Sequence, residues 1–203
     1  MHFFCRLKSV LLIFLCASLV NLENQSFAAP QSELNAQLIL AVQTNDQDGV
    51  ETALDNGANP NAQDTDQVNA LHYAAEKGYT SITKKLIKSG ANVNMQDTYG
   101  RTALCIAASL GYPSIVNTLV EAGANVNAQD TGGMTALHWA ALGDYLSIVK
   151  KLLEAGANVN TQDTYGRTAL YLAQQDDYNE VAEMLSDPKK RKVSSKEGCT
   201  EAN

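Results

Sequence analysis

Cysteine, histidine, aromatic side chains and long apolar runs are all scarce in this chain, and each scarcity closes off a class of function. Of four cysteines, Cys5 and Cys16 lie in an N-terminal leader, which leaves Cys105 and Cys199. Two cysteines in a chain of this size do not make a disulfide framework. Pro188 to Cys199 spans about 35 Å when fully extended, so a Cys105–Cys199 bridge stays sterically open. The apolar run Val10–Val20 has eleven residues, well short of the roughly 20 that a membrane-spanning helix needs. No membrane span is therefore expected in the mature chain. Basic side chains are scarce in the body: Ala29 to Pro188 carries 8 Lys/Arg against 19 Asp/Glu, a net charge of −11. Such a surface repels phosphate backbones, so nucleic-acid binding by the folded part is disfavoured. Nucleophile–base pairings, glycine-rich phosphate loops and metal-ligand spacings are all missing, so neither catalysis nor a metal or other cofactor is expected.

What is present suits a packed, thin-layered fold. Hydrophobic residues make up 45% of the chain and aromatics 6%, which allows a core built largely from small side chains. The first 28 residues read as an export signal. Arg6 and Lys8 form a positive start, Val10–Val20 an apolar centre, and Ser26-Phe27-Ala28 a cleavage site with small residues at the two positions that matter. Cleavage after Ala28 leaves Ala29 first, whereas cleavage one residue later would leave Pro30. Leu15 is too bulky to make Cys16 a lipid attachment site.

The body repeats. Asp64, Asp97, Asp130 and Asp163 are 33 residues apart, each followed by Thr, and seven residues on come Leu71, Leu104, Leu137 and Leu170. The blocks 97–104 and 163–170 are identical. A weaker copy precedes them, with Leu38, Ala41 and Gly57 in register with Leu71, Ala74 and Gly90. Within each unit, Asn69, Thr102, Thr135 and Thr168 stand as N-caps, followed by an Ala-Leu-x-x-Ala-Ala run that favours a short helix. Gly78 and Gly111 end that helix. A second helix carries Ile82/Leu86, Ile115/Leu119 and Ile148/Leu152 on one face, and Gly57, Gly90, Gly123 and Gly156 end it. Ala-Asn-x-Asn then leads into the next Asp-Thr turn.

Two helices of this length cannot bury a core alone, but stacked units share a continuous one whose ends must be polar. The last unit agrees: Gln174, Gln175, Asp176, Asp177, Glu180 and Glu183 replace apolar or small residues, and Asp187-Pro188 stops its helix. The first unit lacks the Asp-Thr-x-Gly turn and acts as the opposite cap. Five units are expected, at about 31–63, 64–96, 97–129, 130–162 and 163–187, with a leader at 1–28 and a basic tail at 188–203.

The pattern Asp-x-x-Gly-x-Thr-Ala-Leu-His-x-Ala-Ala, then Ile-Val-x-x-Leu-Leu, then Gly-Ala-Asn-Val-Asn resembles the ankyrin repeat, and the resemblance covers about residues 31–187. It implies an all-α repeat solenoid, each unit a helix–turn–helix plus a β-hairpin loop. Three departures stand out. Ala70, Ala103, Ala136 and Ala169 replace the usual proline. Asp144 and Asp177 occupy a glycine position, and Tyr79, Tyr112, Tyr145 and Tyr178 one where His is common. These should alter local stability and leave the fold intact. The resemblance further implies a monomeric protein-binding module without catalytic residues, which meets its partner on a concave side made of hairpin tips and first-helix ends. Carried onto this sequence, the partner-binding residues are Tyr99, Arg101, Ser109, Leu110, Met134, Leu142, Tyr165 and Arg167.

His72 and His138 share one repeat position, so at about 8–10 Å per helix layer they lie about 20 Å apart and cannot share a metal. Each is expected to tie its unit to the neighbouring loop; Cys105 and Tyr171 take the equivalent places. Trp139 aligns with Tyr73, Ile106 and Leu172, which assigns it to the core between helices. Lys189, Lys190, Arg191 and Lys192 resemble a nuclear-import run, against which stands a plain solvated tail after a helix end. Together with the export signal, such a run would operate only in a protein sent from one cell into another. The function expected is an exported binding module, periplasmic, secreted or host-directed, for one protein partner. The alternative is a structural or protective accessory of an exported enzyme.

Overall fold

The computed structural model describes residues 29–187; the leader, the basic tail and Cys199 lie outside the described residues. Ten helices follow one another in pairs: α1 (Gln31–Gln43) with α2 (Gln47–Asp55), α3 (Ala70–Lys77) with α4 (Thr80–Lys88), α5 (Ala103–Ser109) with α6 (Pro113–Glu121), α7 (Ala136–Leu142) with α8 (Leu146–Glu154), and α9 (Ala169–Gln175) with α10 (Asn179–Ser186). The first helices of the pairs pack in one row and the second helices in another. This is the five-unit solenoid that the 33-residue period predicts.

Local chemistry sets each boundary. The Asn69 Oδ1 accepts the His72 N–H at 3.0 Å, and the Thr102 and Thr168 hydroxyls accept from Cys105 and Tyr171 at 3.3 and 3.2 Å. Each satisfies a first-turn donor that the helix leaves without a partner. The alanines that follow are fully buried (Ala74, Ala75, Ala107, Ala108, Ala140, Ala141), which lets neighbouring first helices approach closely. On the second helices Ile82/Leu86, Ile115/Leu119 and Ile148/Leu152 are all but completely buried, and Val181 and Leu185 continue the row. Leu71, Leu104 and Leu137 are equally enclosed, whereas Leu170 is half-buried, since no further unit packs on it among the described residues.

Asp144 and Asp177 take up the left-handed backbone of the glycines they replace, at φ 55° and 57° against 76° and 72° for Gly78 and Gly111. The fold thus tolerates them, at a steric cost that glycine avoids. The tyrosine row has a packing role: a Cβ built on Gly78 would lie 3.1 Å from the Tyr112 ring, and one on Gly111 only 2.6 Å from that of Tyr145. Each ring therefore lies against the bare backbone of the unit before it.

Side-chain ladders join the units. Asn61 Nδ2 donates to the Gly90 carbonyl while its Oδ1 accepts the Asn92 N–H; Asn94 and Asn127 repeat this with Gly123/Asn125 and Gly156/Asn158. In the first unit two residues divide the task, with Gln31 Nε2 donating to Gly57 and Asn35 Oδ1 accepting from Asn59. The loops between units are tight hairpin turns; among the described residues an isolated antiparallel bridge, Gln63–Asn69, is the one ladder pairing that flanks them. Each is a five-residue turn closed by two backbone bonds: the first N–H donates to the fifth carbonyl, from Asp64 to Val68, Asp97 to Arg101, Asp130 to Met134 and Asp163 to Arg167, and the fourth N–H donates back to the aspartate carbonyl.

Candidate functional site

The four turns are built on their aspartates. In each, Oδ1 accepts two backbone N–H groups at 2.9 Å, from the residues two and four positions on. The turn tips are then linked in series, because Thr98, Thr131 and Thr164 donate to the carbonyls of Asp66, Tyr99 and Gly132. A Cβ on Gly100 would lie 3.0 Å from the Thr131 nitrogen, and one on Gly133 2.9 Å from that of Thr164. With left-handed φ of 70° and 74° as well, these two positions need glycine on both counts.

The second carboxylate oxygen divides the turns into two kinds. In two of them an arginine four residues on takes it: Arg101 Nε and Nη2 lie 2.8 Å from Asp97 Oδ2, and Arg167 holds Asp163 Oδ2 at 2.8 and 2.7 Å. Each guanidinium also lies over a tyrosine ring of its own turn, Arg101 5.1 Å from the Tyr99 centroid and Arg167 4.9 Å from that of Tyr165, within cation–π range. Burial pushes the Asp163 carboxyl upward, but the Arg167 N–H and guanidinium and the Tyr165 N–H outweigh it and hold the pKa below its usual value. In the other two turns, Val68 and Met134 replace the arginine. There an aromatic nine residues on supplies a neutral donor: the Tyr73 hydroxyl to Asp64 Oδ2 at 2.8 Å, and Trp139 Nε1 to Asp130 Oδ2 at 3.0 Å. Among the described residues no Lys or Arg pairs with Asp64 or Asp130.

The third turn also has Gly132 where its two neighbours carry Tyr99 and Tyr165. The missing side chains leave a cleft of about 350 Å³ between the tyrosine–arginine pairs, with Asp130, Thr131, Met134 and Trp139 in its lining. Tyr99 is 63% exposed and Tyr165 81%. The structure thus gathers five of the eight expected partner-binding residues, Tyr99, Arg101, Met134, Tyr165 and Arg167, around one cleft. Ser109, Leu110 and Leu142 do not line it. Leu110 and Leu142 are exposed at first-helix ends, and the Ser109 hydroxyl donates to the Ile106 carbonyl.

Met134 is only 8% exposed, since the small tip of its turn lets the thioether fold inward, so it backs the cleft. One expectation needs correction. Trp139 is half-buried, not a core residue like Ile106 and Leu172, because its indole N–H must reach Asp130. Asp130 and Gly132 were not read as site residues. Their signal was the break in the Tyr-x-Arg pattern at 132 and 134, with an aromatic at 139 to match Tyr73.

The histidines tie units together as expected. His72 Nδ1 accepts the Asn69 N–H, so Nε2 carries the proton and donates to the Met95 and Arg101 carbonyls, both at 3.1 Å. His138 does the same between Thr135 and Arg167. Burial lowers both pKa values and favours the neutral ring. Cys105 is buried, and burial pushes its thiol up, away from the reactive thiolate. Among the described residues no three His, Cys, Asp or Glu side chains gather as metal ligands, and no helix is long and apolar enough to cross a membrane.

A row of linked turns along one edge of stacked helix pairs defines a repeat solenoid of the protein-interaction class. Family models agree: one described as ankyrin repeats (3 copies) matches residues 38–130, and one described as ankyrin repeats (many copies) matches 119–173. The chain belongs to the ankyrin-repeat family, whose members generally mediate protein–protein interaction and typically have no enzymatic activity. No curated protein matches the chain significantly.

Proposed function

We propose that this protein is an exported interaction module that captures one protein partner on its row of turns. One observation carries the reading: Tyr99 and Tyr165, large amphipathic rings held by their own arginines, stand exposed on either side of an open cleft. Tyrosine and arginine are enriched among interface hot spots, and rings that are fixed in advance lose little entropy on binding. The export part rests on Arg6, Lys8, Val10–Val20 and Ser26-Phe27-Ala28 in the sequence.

The arginines are poor targets for a test, because removing either strands a buried aspartate. Tyr99→Ala with Tyr165→Ala leaves Asp97 and Asp163 paired. The double variant should unfold at the wild-type urea concentration yet lose the partner that wild type retains from extracts of the source cell. Retention of that partner by the variant would overturn the binding face. N-terminal sequencing of the native chain tests export: a start at Ala29 is expected, and a start at Met1 would contradict it.

A further inference from the structure

The cleft has a definite chemistry because the flanking turns show what is missing from it. In those turns a carboxylate, a guanidinium and a phenol ring form one unit: Asp97 with Arg101 over Tyr99, and Asp163 with Arg167 over Tyr165. In the central turn the carboxylate is retained while Gly132 and Met134 replace the ring and the guanidinium. Asp130 Oδ1 accepts from Gly132 and Met134 and Oδ2 from Trp139. A carboxylate offers about four acceptor sites, so one remains on Oδ2, and all three bonds in place come from neutral donors. Arg101 and Arg167 also line the cleft, but each is already neutralised by its own aspartate. Asp130 is therefore the unbalanced charge there, in a body of net charge −11.

We propose that the cleft receives an arginine side chain of the protein partner, with Asp130 as its counter-ion and Trp139, Tyr99 and Tyr165 as its aromatic surroundings. The incoming guanidinium takes the place that Arg101 and Arg167 fill in the neighbouring turns. Arginine suits the site better than lysine, because its planar head both stacks on rings and bonds a carboxylate through fixed donors. The proposal rests on the binding face above and names what that face recognises.

Trp139 is the sole tryptophan of the chain, so its indole N–H resonance reports on this cleft alone. Titration of the full chain with N-acetyl-arginine methylamide should shift that resonance saturably. The lysine analogue should bind more weakly and the glutamate analogue should give no saturable shift. Asp130→Asn should weaken the arginine probe about tenfold, as for loss of a hydrogen bond to a charged group. A second variant guards against misfolding of the first: Gly132→Tyr with Met134→Arg copies the sequence of the flanking turns and supplies the guanidinium from within. It should fold and abolish the shift. Saturation by the glutamate probe, saturation by neither probe, or undiminished arginine binding by Asp130→Asn would each overturn the proposal. If the probes fail while Tyr99→Ala with Tyr165→Ala still loses the captured partner, the binding face stands and only its arginine specificity falls.

Discussion

The turns at 97–101 and 163–167 differ from those at 64–68 and 130–134 in how one oxygen atom is satisfied. All four use an aspartate to gather two backbone N–H groups, so that half of the motif is framework. The other half varies. An arginine inside the turn makes it self-sufficient and places a tyrosine in solvent, whereas an aromatic from the first helix leaves the carboxylate without a cation. Adjacent turns of the two kinds create the cleft, since the gap in one is walled by the side chains of its neighbours. Variation within a repeat thus produces a site that no single unit contains.

The largest expected effect breaks the self-sufficient turn. Asp97→Ala leaves Arg101 and two N–H groups without their acceptor, and should cost about 3 kcal/mol in urea unfolding. The comparison sharpens with the isosteric change. Asp97→Asn strands a guanidinium and Asp130→Asn does not, so the former should cost about 1 kcal/mol more; the difference is modest because Arg101 is partly solvated. A change of similar size but opposite sign is expected at Cys105, whose thiol lies 4.0 Å from the Ala128 carbonyl where His72 makes a full hydrogen bond. Cys105→His should gain about 1 kcal/mol. Asp144→Gly, which relieves the left-handed backbone, should stabilise by about 0.5–1 kcal/mol.

The histidines predict a pH dependence at higher pH than the turns do, since the lowered pKa of Asp163 places its loss of stability below the ordinary carboxylate range. Both histidines have folded-state pKa values below the ordinary 6.5, so between the folded value and 6.5 the unfolded chain binds more protons. Their contribution is complete above pH 6.5 and is lost as the pH falls below it toward the folded-state pKa. Unfolding followed from pH 7.5 downward should show this decline, and it should flatten when His72 and His138 are both replaced by Cys, the residue their position carries in the third unit.

Most of the fold was legible because it rests on local signals repeated in register: N-caps before Ala-Leu, glycines at helix ends, and paired apolar residues on the second helices. The unit count, the two caps and the bridging histidines follow from these. The candidate site was legible only in part. Tyr99, Arg101, Tyr165 and Arg167 are legible because the resemblance to the ankyrin repeat places them at turn tips, where partners are met. That Met134 backs the cleft is not legible, because hydropathy does not show which way a side chain turns when its neighbour is Gly132. Trp139 was assigned to the core because alignment with Ile106 and Leu172 records size and not the Asp130 acceptor nearby. The Trp139 assignment fails on a contact across nine residues, which period and propensity do not encode.

The central claim is that the row of turns, and not the second-helix side, binds the partner. The direct measurement is the calorimetric affinity of the captured partner for wild type, for Tyr99→Ala with Tyr165→Ala, and for Lys84→Ala with Lys150→Ala on exposed second-helix positions. The tyrosine variant should bind at least about thirtyfold more weakly, in line with two hot-spot side chains, and the lysine variant as wild type does. Equal affinity for all three, or loss confined to the lysine variant, would contradict the account.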